Sequence, residues 1–147
     1  MPTKRSVYFG ADHAGFPLKE ALRTAIDTKR YIAQDLSPRF EKDDDYPLSA
    51  RKVAHAVLAD KDAVGILVCG TGHGMDIAAN RMKGIRALVA RTAKDAKLSR
   101  EHNHANILVL GGWITKPSDA KKIMETFLKT KPSKIERHVR RVKELDL

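Results

Sequence analysis

Five short apolar runs, separated by amphipathic stretches, form the main pattern along this chain. They predict β-strands at 6–10, 31–36, 63–69, 85–90 and 106–110. In the stretches between them, apolar side chains recur every three or four residues, which is typical of helices with one buried face. Strands that alternate with helices favour a parallel sheet covered on both faces. We therefore expect an α/β fold with a five-stranded parallel sheet.

The helical stretches carry recognisable apolar stripes and end signals. Thr92 with Asp95 resembles a capping pair, and Ser118 after Pro117 predicts another helix start. A last helix is expected at about 133–145. The stripes are Leu18–Leu22–Ile26, Val53–Ala54–Val57–Leu58 and Ala120–Ile123–Met124–Phe127–Leu128.

Length and composition indicate one domain covering residues 1–147. Hydrophobic residues make up 42% and charged residues 31%, as in an ordinary globular protein. No apolar stretch approaches the roughly 20 residues that cross a bilayer, and the N-terminal residues lack a signal-peptide core. The single cysteine excludes an internal disulfide. We therefore expect a cytoplasmic protein without a membrane partner.

The formal charge of +10 favours an anionic ligand. Basic residues are spread over nearly every predicted helix and mixed with acids, and aromatic residues are only 5%. No zinc-finger, helix-turn-helix or RNA-recognition motif accompanies them. The charge alone fits either nucleic acid or a small phosphorylated molecule.

Cys69 stands where the third apolar run meets a glycine-rich turn, Gly70-Thr71-Gly72-His73-Gly74. A helix is predicted to resume at 75–80, so the thiol would face free backbone N–H groups and a helix N-terminus. Both favour anions, including a thiolate. The alternative is a small buried side chain that ends a strand. The turn is neither a dinucleotide fingerprint, which would require glycine at Met75, nor a P-loop.

Other candidates come from two further segments. Asp12 and His13 follow the first strand and offer a carboxylate and an imidazole for acid–base chemistry, although Asp12 could instead cap a helix. His102, Asn103 and His104 precede the fifth strand. Ligands in open parallel sheets bind at the carboxyl ends of strands, and we expect all these residues there. Pairing of Cys69 with His102 in a hydrolase, or a metal site with His102 and His104, stays open.

Arg137 and Arg141 lie four residues apart in the last predicted helix and therefore on one face. Two adjacent guanidiniums suit a phosphate group. A solvated basic surface is the alternative for this spacing.

Five motifs, in this order, resemble one known family. They are Asp12-His13-Ala-Gly15-Phe16, Asp45-Tyr46-Pro47, Cys69-Gly-Thr-Gly-x-Gly74 with Ile77-Ala-Ala-Asn80, Leu98-Ser-Arg-x-His102-Asn103 and Arg137-His-x-x-Arg141. The chain resembles the type B ribose-5-phosphate isomerases, within the wider family that includes galactose-6-phosphate isomerase subunits. The resemblance extends over about residues 6–142.

This resemblance implies a single Rossmann-like α/β/α sandwich that forms homodimers or tetramers. A C-terminal helix would reach the partner, and each active site would be completed by the neighbouring subunit. The implied reaction is aldose–ketose interconversion of a sugar phosphate through a cis-enediolate, without metal or cofactor. No nucleic acid is implied as a partner.

The resemblance also implies residue roles. Cys69 would be the base between C1 and C2, with Thr71 hydrogen-bonding nearby and His102 donating a proton during ring opening. Asp12 would contact the sugar. Asn103 would be a further substrate contact and Tyr46 would line the site. The other implied contacts are the amides of Gly70, Thr71, Gly72, His73 and Gly74 on the oxyanion, and His13, Arg137 and Arg141 on the phosphate.

Some positions depart from the family pattern and leave the substrate open. Trp113 stands where many members carry arginine, His73 replaces a small or apolar residue, and Asp76 replaces serine or glutamine. Another branch uses a glutamate base where this chain has Met75, so Cys69 places the chain in the cysteine branch. An allose, galactose or tetrose phosphate is the alternative substrate, and a non-catalytic sugar-phosphate-binding module is the alternative function.

Overall fold

A computed structural model describes residues 3–146, and the predicted alternation of strands and helices is confirmed along them. Within that range, no helix is both long and apolar enough to cross a membrane. The elements are β1 Arg5–Ala11, α1 Phe16–Ala25, β2 Tyr31–Asp35, α2 Tyr46–Ala59, β3 Val64–Cys69, α3 His73–Asn80, β4 Ala87–Val89, α4 Ala93–Asn103, β5 Ile107–Gly111, α5 Pro117–Lys129 and α6 Glu136–Glu144.

The five strands form one parallel sheet, as the sequence predicts, and their order in the sheet is β2-β1-β3-β5-β4. From β1 the chain moves outward to β2, whereas from β3 it moves outward in the other direction to β4. The strand order therefore reverses between β1 and β3, which is where open α/β sheets bind ligands. At this edge Ala11 is in register with Val68, and Cys69 with Gly111.

Helices cover both faces of the sheet. Helices α1, α4 and α5 pack on one face, against side chains such as Phe9 and Val68. Helices α2 and α3 pack on the other, against Leu67, Cys69 and Val109. All six residues of β3 are buried because helices cover this central strand on both sides. Burying each large apolar side chain contributes about 1.5–3 kcal/mol to the free energy of unfolding.

The predicted cap of α4 is confirmed, since the Asp95 N–H donates to Thr92 Oγ1 at 3.1 Å. Two predicted helix starts are displaced. Helix α5 begins at Pro117 rather than Ser118 because proline is well suited to a first helical position. Helix α3 begins at His73, earlier than the predicted 75, because Gly72 already turns the chain.

The last helix begins at Glu136, so the predicted start at 133 is wrong. The N–H of Ser133 donates to the Glu101 carbonyl oxygen at 3.1 Å, which keeps this segment against α4 in a non-helical conformation. Arg137 and Arg141 do lie within one helix, as predicted.

Candidate functional site

Cys69 is the last residue of β3 and is 4% exposed, on the sheet face covered by α2 and α3. The N–H of Gly72 donates to its Sγ at 3.2 Å. This confirms the predicted position of the thiol at the carboxyl end of a strand, beside the backbone donors of the glycine-rich turn. The sulfur, which is the atom that acts as a base or nucleophile in reactive cysteines, therefore lies next to a backbone donor.

The glycine loop, residues 70–74, joins β3 directly to α3. Gly72 has φ of +90°, a conformation that other residues adopt only with strain, and its carbonyl oxygen accepts from the Asp76 N–H at 3.0 Å. The His73 N–H donates to Thr71 Oγ1 at 3.2 Å. The loop therefore presents backbone donors and a helix N-terminus together, an arrangement suited to an oxyanion.

Arg91 fixes the outer side of this loop, and sequence reasoning missed it. Its Nη2 donates to the Thr71 carbonyl oxygen and to His73 Nε2, both at 3.2 Å. Arg91 follows β4 by two residues, so the rule that selects loops after strands could have identified it. His73 itself is exposed. The contacts made by Arg91 therefore tie the glycine loop to the segment that follows β4.

Asp12 is 7% exposed, and its Oδ1 accepts from the Gly15 N–H at 2.9 Å. Asp12 thus holds the turn that leads into α1, but the alternative that it caps the helix is not met, since the N-cap residue is Gly15 and it has no side-chain cap. Burial raises the pKa of this carboxyl above its usual value. A Cβ on Gly15 would lie 2.0 Å from the Val68 carbonyl oxygen, so the α1 entry contacts the end of β3 directly. Asp12 and Cys69 therefore belong to the same edge.

His13 is held by Asp44, a partner that sequence reasoning also missed. Asp44 Oδ1 accepts from the His13 N–H at 2.6 Å and lies 3.1 Å from His13 Nδ1. The hydrogen bond to this carboxylate raises the pKa of His13. Three consecutive aspartates precede Tyr46, and nothing in that run distinguishes Asp44 as the one that folds onto His13.

Two aromatic rings cover the glycine loop. A Cβ on Gly74 would lie 2.6 Å from Tyr46 Cζ, and one on Gly70 would lie 2.6 Å from Trp113 Cε3. The Trp113 N–H donates to the Gly70 carbonyl oxygen at 2.9 Å, yet 72% of the residue is exposed. The thiol cluster, defined as Asp12, His13, Tyr46, Cys69 and the glycine loop, therefore has an indole beside it.

The remaining predicted residues form a second group, the basic cluster, which consists of His102, Asn103, Arg137 and Arg141. A cavity of about 260 Å³ is lined by His102, Asn103 and Arg141 together with His138. The His102 and His138 ring centroids are 4.4 Å apart. Burial, then the positive side chains around it, lowers the pKa of His138. Across residues 3–146, no group of three or more His, Cys, Asp or Glu side chains could hold a metal ion.

The structure contradicts the prediction that His102, Asn103 and His104 lie at the carboxyl edge with Cys69. Helix α4 leaves that edge after β4 and runs back, so His102 and Asn103 in its last turn lie near the amino ends of the strands. The next residues confirm this: the Asn106 carbonyl oxygen accepts from Gly65 at the start of β3. Five residues of strand span about 16 Å. A hydrolase pair of Cys69 and His102 within one chain is therefore wrong.

The fold and the thiol cluster define an α/β protein with a glycine loop and a thiol at its topological switch point. The ribose/galactose isomerase family matches residues 7–145, and the chain belongs to this family. The predicted resemblance and fold class are thus confirmed.

Known relatives extend over nearly the whole chain. Ribose-5-phosphate isomerase B of Mycolicibacterium paratuberculosis is 37% identical over 137 residues, covering 92% of this chain and 86% of the relative. The ribose 5-phosphate isomerase structure from Thermotoga maritima has a TM-score of 0.92 at 41% identity, and the match covers 98% of this chain and 99% of that chain. The Mycoplasma genitalium ribose-5-phosphate isomerase B, solved with bound ribulose-5-phosphate, has a TM-score of 0.91 at 36% identity, and the match covers 98% of this chain and 95% of that chain.

Proposed function

We propose that this chain interconverts ribose 5-phosphate and ribulose 5-phosphate, as an aldose–ketose isomerase that uses neither metal nor cofactor. Family membership and the ribulose-5-phosphate complex of the Mycoplasma genitalium relative support this reaction. The observation that carries the proposal is the Cys69 thiol, which accepts a hydrogen bond from Gly72 at the carboxyl end of β3. The sulfur can accept a proton from the substrate, and the backbone N–H groups beside it can donate hydrogen bonds to the negative charge that then develops.

In the proposed reaction the Cys69 thiolate removes the C2 proton of the open-chain aldose. The electron pair of that C–H bond forms the C1–C2 double bond, and the carbonyl electrons move to O1, giving a cis-enediolate. The Cys69 thiol then returns the proton to C1 while the O2 proton moves to O1, which gives the ketose. Backbone N–H groups of residues 70–74 stabilise the oxyanion, with Thr71 beside them.

The phosphate and ring-opening functions require the basic cluster, which lies at the other edge of the same chain. We propose a homodimer, or a tetramer built from dimers, in which His102 of the partner subunit opens the sugar ring as a proton donor. Asn103, Arg137 and Arg141 of the partner subunit would bind the substrate, with the two guanidiniums on the phosphate. Helix α6 presents both arginines at exposed positions, which suits transfer to a neighbouring chain.

The thiol cluster supplies the rest of the proposed site. Asp12 would bind the sugar oxygens, His13 would bind the phosphate as a cation supported by Asp44, and Tyr46 would line the pocket over Gly74. His73 would contribute its backbone N–H. A cytoplasmic location accords with this chemistry and stays a prediction.

The first experiment measures conversion of ribose 5-phosphate by purified protein with a chelator present. We expect turnover that the chelator does not change. Cys69→Ala should lower kcat by about 10²–10⁴-fold, the range for a positioned acid–base group, while KM and the melting temperature stay close to those of the wild type. Activity within tenfold of wild type would contradict the assigned base. Substrate binding without turnover by the wild type would indicate the non-catalytic module instead.

One observation favours a second candidate substrate within the same reaction class. The exposed Trp113 indole lies on Gly70, where it changes the size and charge of the site beside the thiol. An allose or galactose 6-phosphate, or a tetrose phosphate, is therefore the alternative. Comparing kcat/KM for these sugars with kcat/KM for ribose 5-phosphate decides between the candidates, and the highest value identifies the substrate class.

A further inference from the structure

A large basic cavity lies at the edge of the sheet opposite Cys69, between the amino ends of the strands and the end of α5. It encloses about 1050 Å³, at the upper end of small-molecule sites. Its lining includes Arg5 at the start of β1, Val64 at the start of β3 and Lys129 at the end of α5. We call it the amino-edge cavity. None of the residues of the thiol cluster lines it.

The amino-edge cavity concentrates positive charge. Eight lysine and arginine side chains line the cavity, together with two aspartates, Asp60 and Asp62. The formal net charge of the lining is therefore +6, in a chain whose total net charge is +10. The basic side chains come from several separate segments, from Lys4 near the start of the chain to Lys131 after α5. Such concentration destabilises a fold by self-repulsion unless an anion compensates it.

The side chains of three arginines that line the cavity donate hydrogen bonds only to carbonyl oxygens. Arg100 is 5% exposed and donates to the Ala105 and Thr130 carbonyls. Arg86 donates to the His104 and Gly84 carbonyls, and Arg5 to the Asp62 carbonyl. Among the described residues, no carboxylate lies within 4 Å of any of these three guanidiniums.

The electrostatic consequence appears at Arg100. Burial, followed by the positive charges of Arg5 and Arg86, lowers the pKa of its guanidinium to about 10. A charged group buried beside like charges gains most from an added anion, because the surrounding protein screens the interaction less than water does. Asp60 and Asp62 interact electrostatically with Arg5, and Asp146 with Arg86, but none of them forms an ion pair with a guanidinium. Among the described residues, the three arginines therefore lack a directly bonded counter-charge.

We propose that the amino-edge cavity binds a small anion carrying two or more linked phosphate groups. Linked phosphates match several cationic side chains that are held apart on different segments, and guanidiniums bind phosphate oxygens through paired donors. A single phosphate would neutralise only part of the charge. The cavity differs from the proposed isomerase site, since no residue of the thiol cluster or of the basic cluster lines it.

Nuclear magnetic resonance of the intact, ¹⁵N-labelled protein tests the location. On titration with inorganic pyrophosphate, we expect shifts of the amides of Arg5, Lys61 and Asp62 at the amino edge. Amides of residues 70–74 report separately on anions in the isomerase site. Shifts confined to residues 70–74 would overturn the proposal. Orthophosphate should bind the amino edge at least about tenfold more weakly than pyrophosphate; equal affinity would also overturn it.

Variants test the chemistry. Lys61→Gln/Lys129→Gln removes two exposed cavity lysines and should weaken pyrophosphate binding at the amino edge by about tenfold. Lys42→Gln/Lys122→Gln removes the same charge from exposed positions outside the cavity and should change it by less than about twofold. Equal weakening in both pairs would show a general charge effect and contradict a defined site. Arg5→Gln should weaken pyrophosphate binding at the amino edge by about the same factor as Lys61→Gln/Lys129→Gln, with binding measured in the same way.

The same experiments separate a small anion from nucleic acid. Pyrophosphate should raise the melting temperature of the wild type and raise it less in Lys61→Gln/Lys129→Gln. A short DNA duplex that shifts the same amides at lower concentration than pyrophosphate would contradict the small-anion proposal.

Discussion

The backbone N–H of Gly72 donates a hydrogen bond to Cys69 Sγ over 3.2 Å. One turn of the chain therefore supplies the proposed base and the donors for the charge that the base creates. That turn requires a residue with φ of +90°, which glycine adopts without strain. The geometry of the thiol and the conformation of the loop are thus linked through a single residue.

Gly72→Ala should separate a catalytic effect from simple backbone strain. A Cβ at this position forces the loop to shift, because alanine is strained at positive φ and Val89 lies 3.3 Å away. We expect kcat to fall by about 10²-fold, as for loss of one oxyanion donor. Gly84→Ala is the matched control, since Gly84 also has φ of +90° but lies away from the thiol. Both variants should unfold at lower temperature, and equal kcat losses would contradict the loop's role.

His13 and Asp44 predict a pH dependence of substrate binding. Since Asp44 raises the pKa of His13, the pair stabilises the fold fully below the unfolded pKa of about 6.5. This contribution is lost as the pH rises through the folded pKa. If protonated His13 binds the phosphate, KM for the sugar phosphate should rise over the same interval.

Asp44→Asn should lower the pKa of His13 and move the rise in KM to lower pH. Asp43→Asn is the control, because Asp43 makes no hydrogen bond to His13 among the described contacts. The His13 pKa is measured by nuclear magnetic resonance, and KM from initial rates between pH 5.5 and 8.5, a range of about one to two units on either side of a histidine pKa. A KM profile unchanged by Asp44→Asn would argue against His13 as a phosphate ligand.

Trp113 should determine how much room the sugar has. Trp113→Ala removes the ring that lies on Gly70 and opens the site. We expect kcat/KM for hexose 6-phosphates, relative to ribose 5-phosphate, to rise by about tenfold. Ile114→Ala alters the next exposed side chain and should leave this ratio within about twofold. If Trp113→Ala leaves this ratio unchanged, Trp113 does not determine which sugar phosphate the enzyme prefers.

Gly15→Ala should destabilise the fold. The added Cβ would meet the Val68 carbonyl oxygen at 2.0 Å, and this oxygen is a backbone atom that cannot rotate away. We expect the free energy of unfolding to fall by about 2–4 kcal/mol, measured by urea denaturation. Ser118→Ala, on an exposed helical turn, should change it by less than about 0.5 kcal/mol. A Gly15→Ala variant as stable as wild type would show that α1 can move away from β3.

The sequence predicted the strands well because each is a short apolar run, and β3 is apolar throughout since both faces are covered. It also placed Cys69 correctly, because a thiol between an apolar strand and a glycine turn has a local signature. The partners Asp44 and Arg91 were missed because their contacts depend on how separate loops fold together.

The prediction that placed His102, Asn103 and His104 beside Cys69 was wrong because of the direction in which the chain runs. His102 was expected beside Cys69, but a helix that follows a strand returns to the opposite edge before the next parallel strand begins. Residues before a strand therefore cannot share an edge with residues after one. The same reasoning makes a second chain necessary for the proposed site.

Mixing two inactive variants tests the shared site most directly. Cys69→Ala damages the thiol cluster, and His102→Ala/Arg137→Ala damages the basic cluster. After co-refolding at equal amounts, half of the dimers should contain one chain of each kind, and each such dimer regains one intact site. Recovery of about a quarter of wild-type ribose 5-phosphate turnover is predicted for a symmetric dimer. Cys69→Ala mixed with Cys69→Ser is the control and should regain nothing. Recovery no greater than in this control would contradict an active site built from two chains.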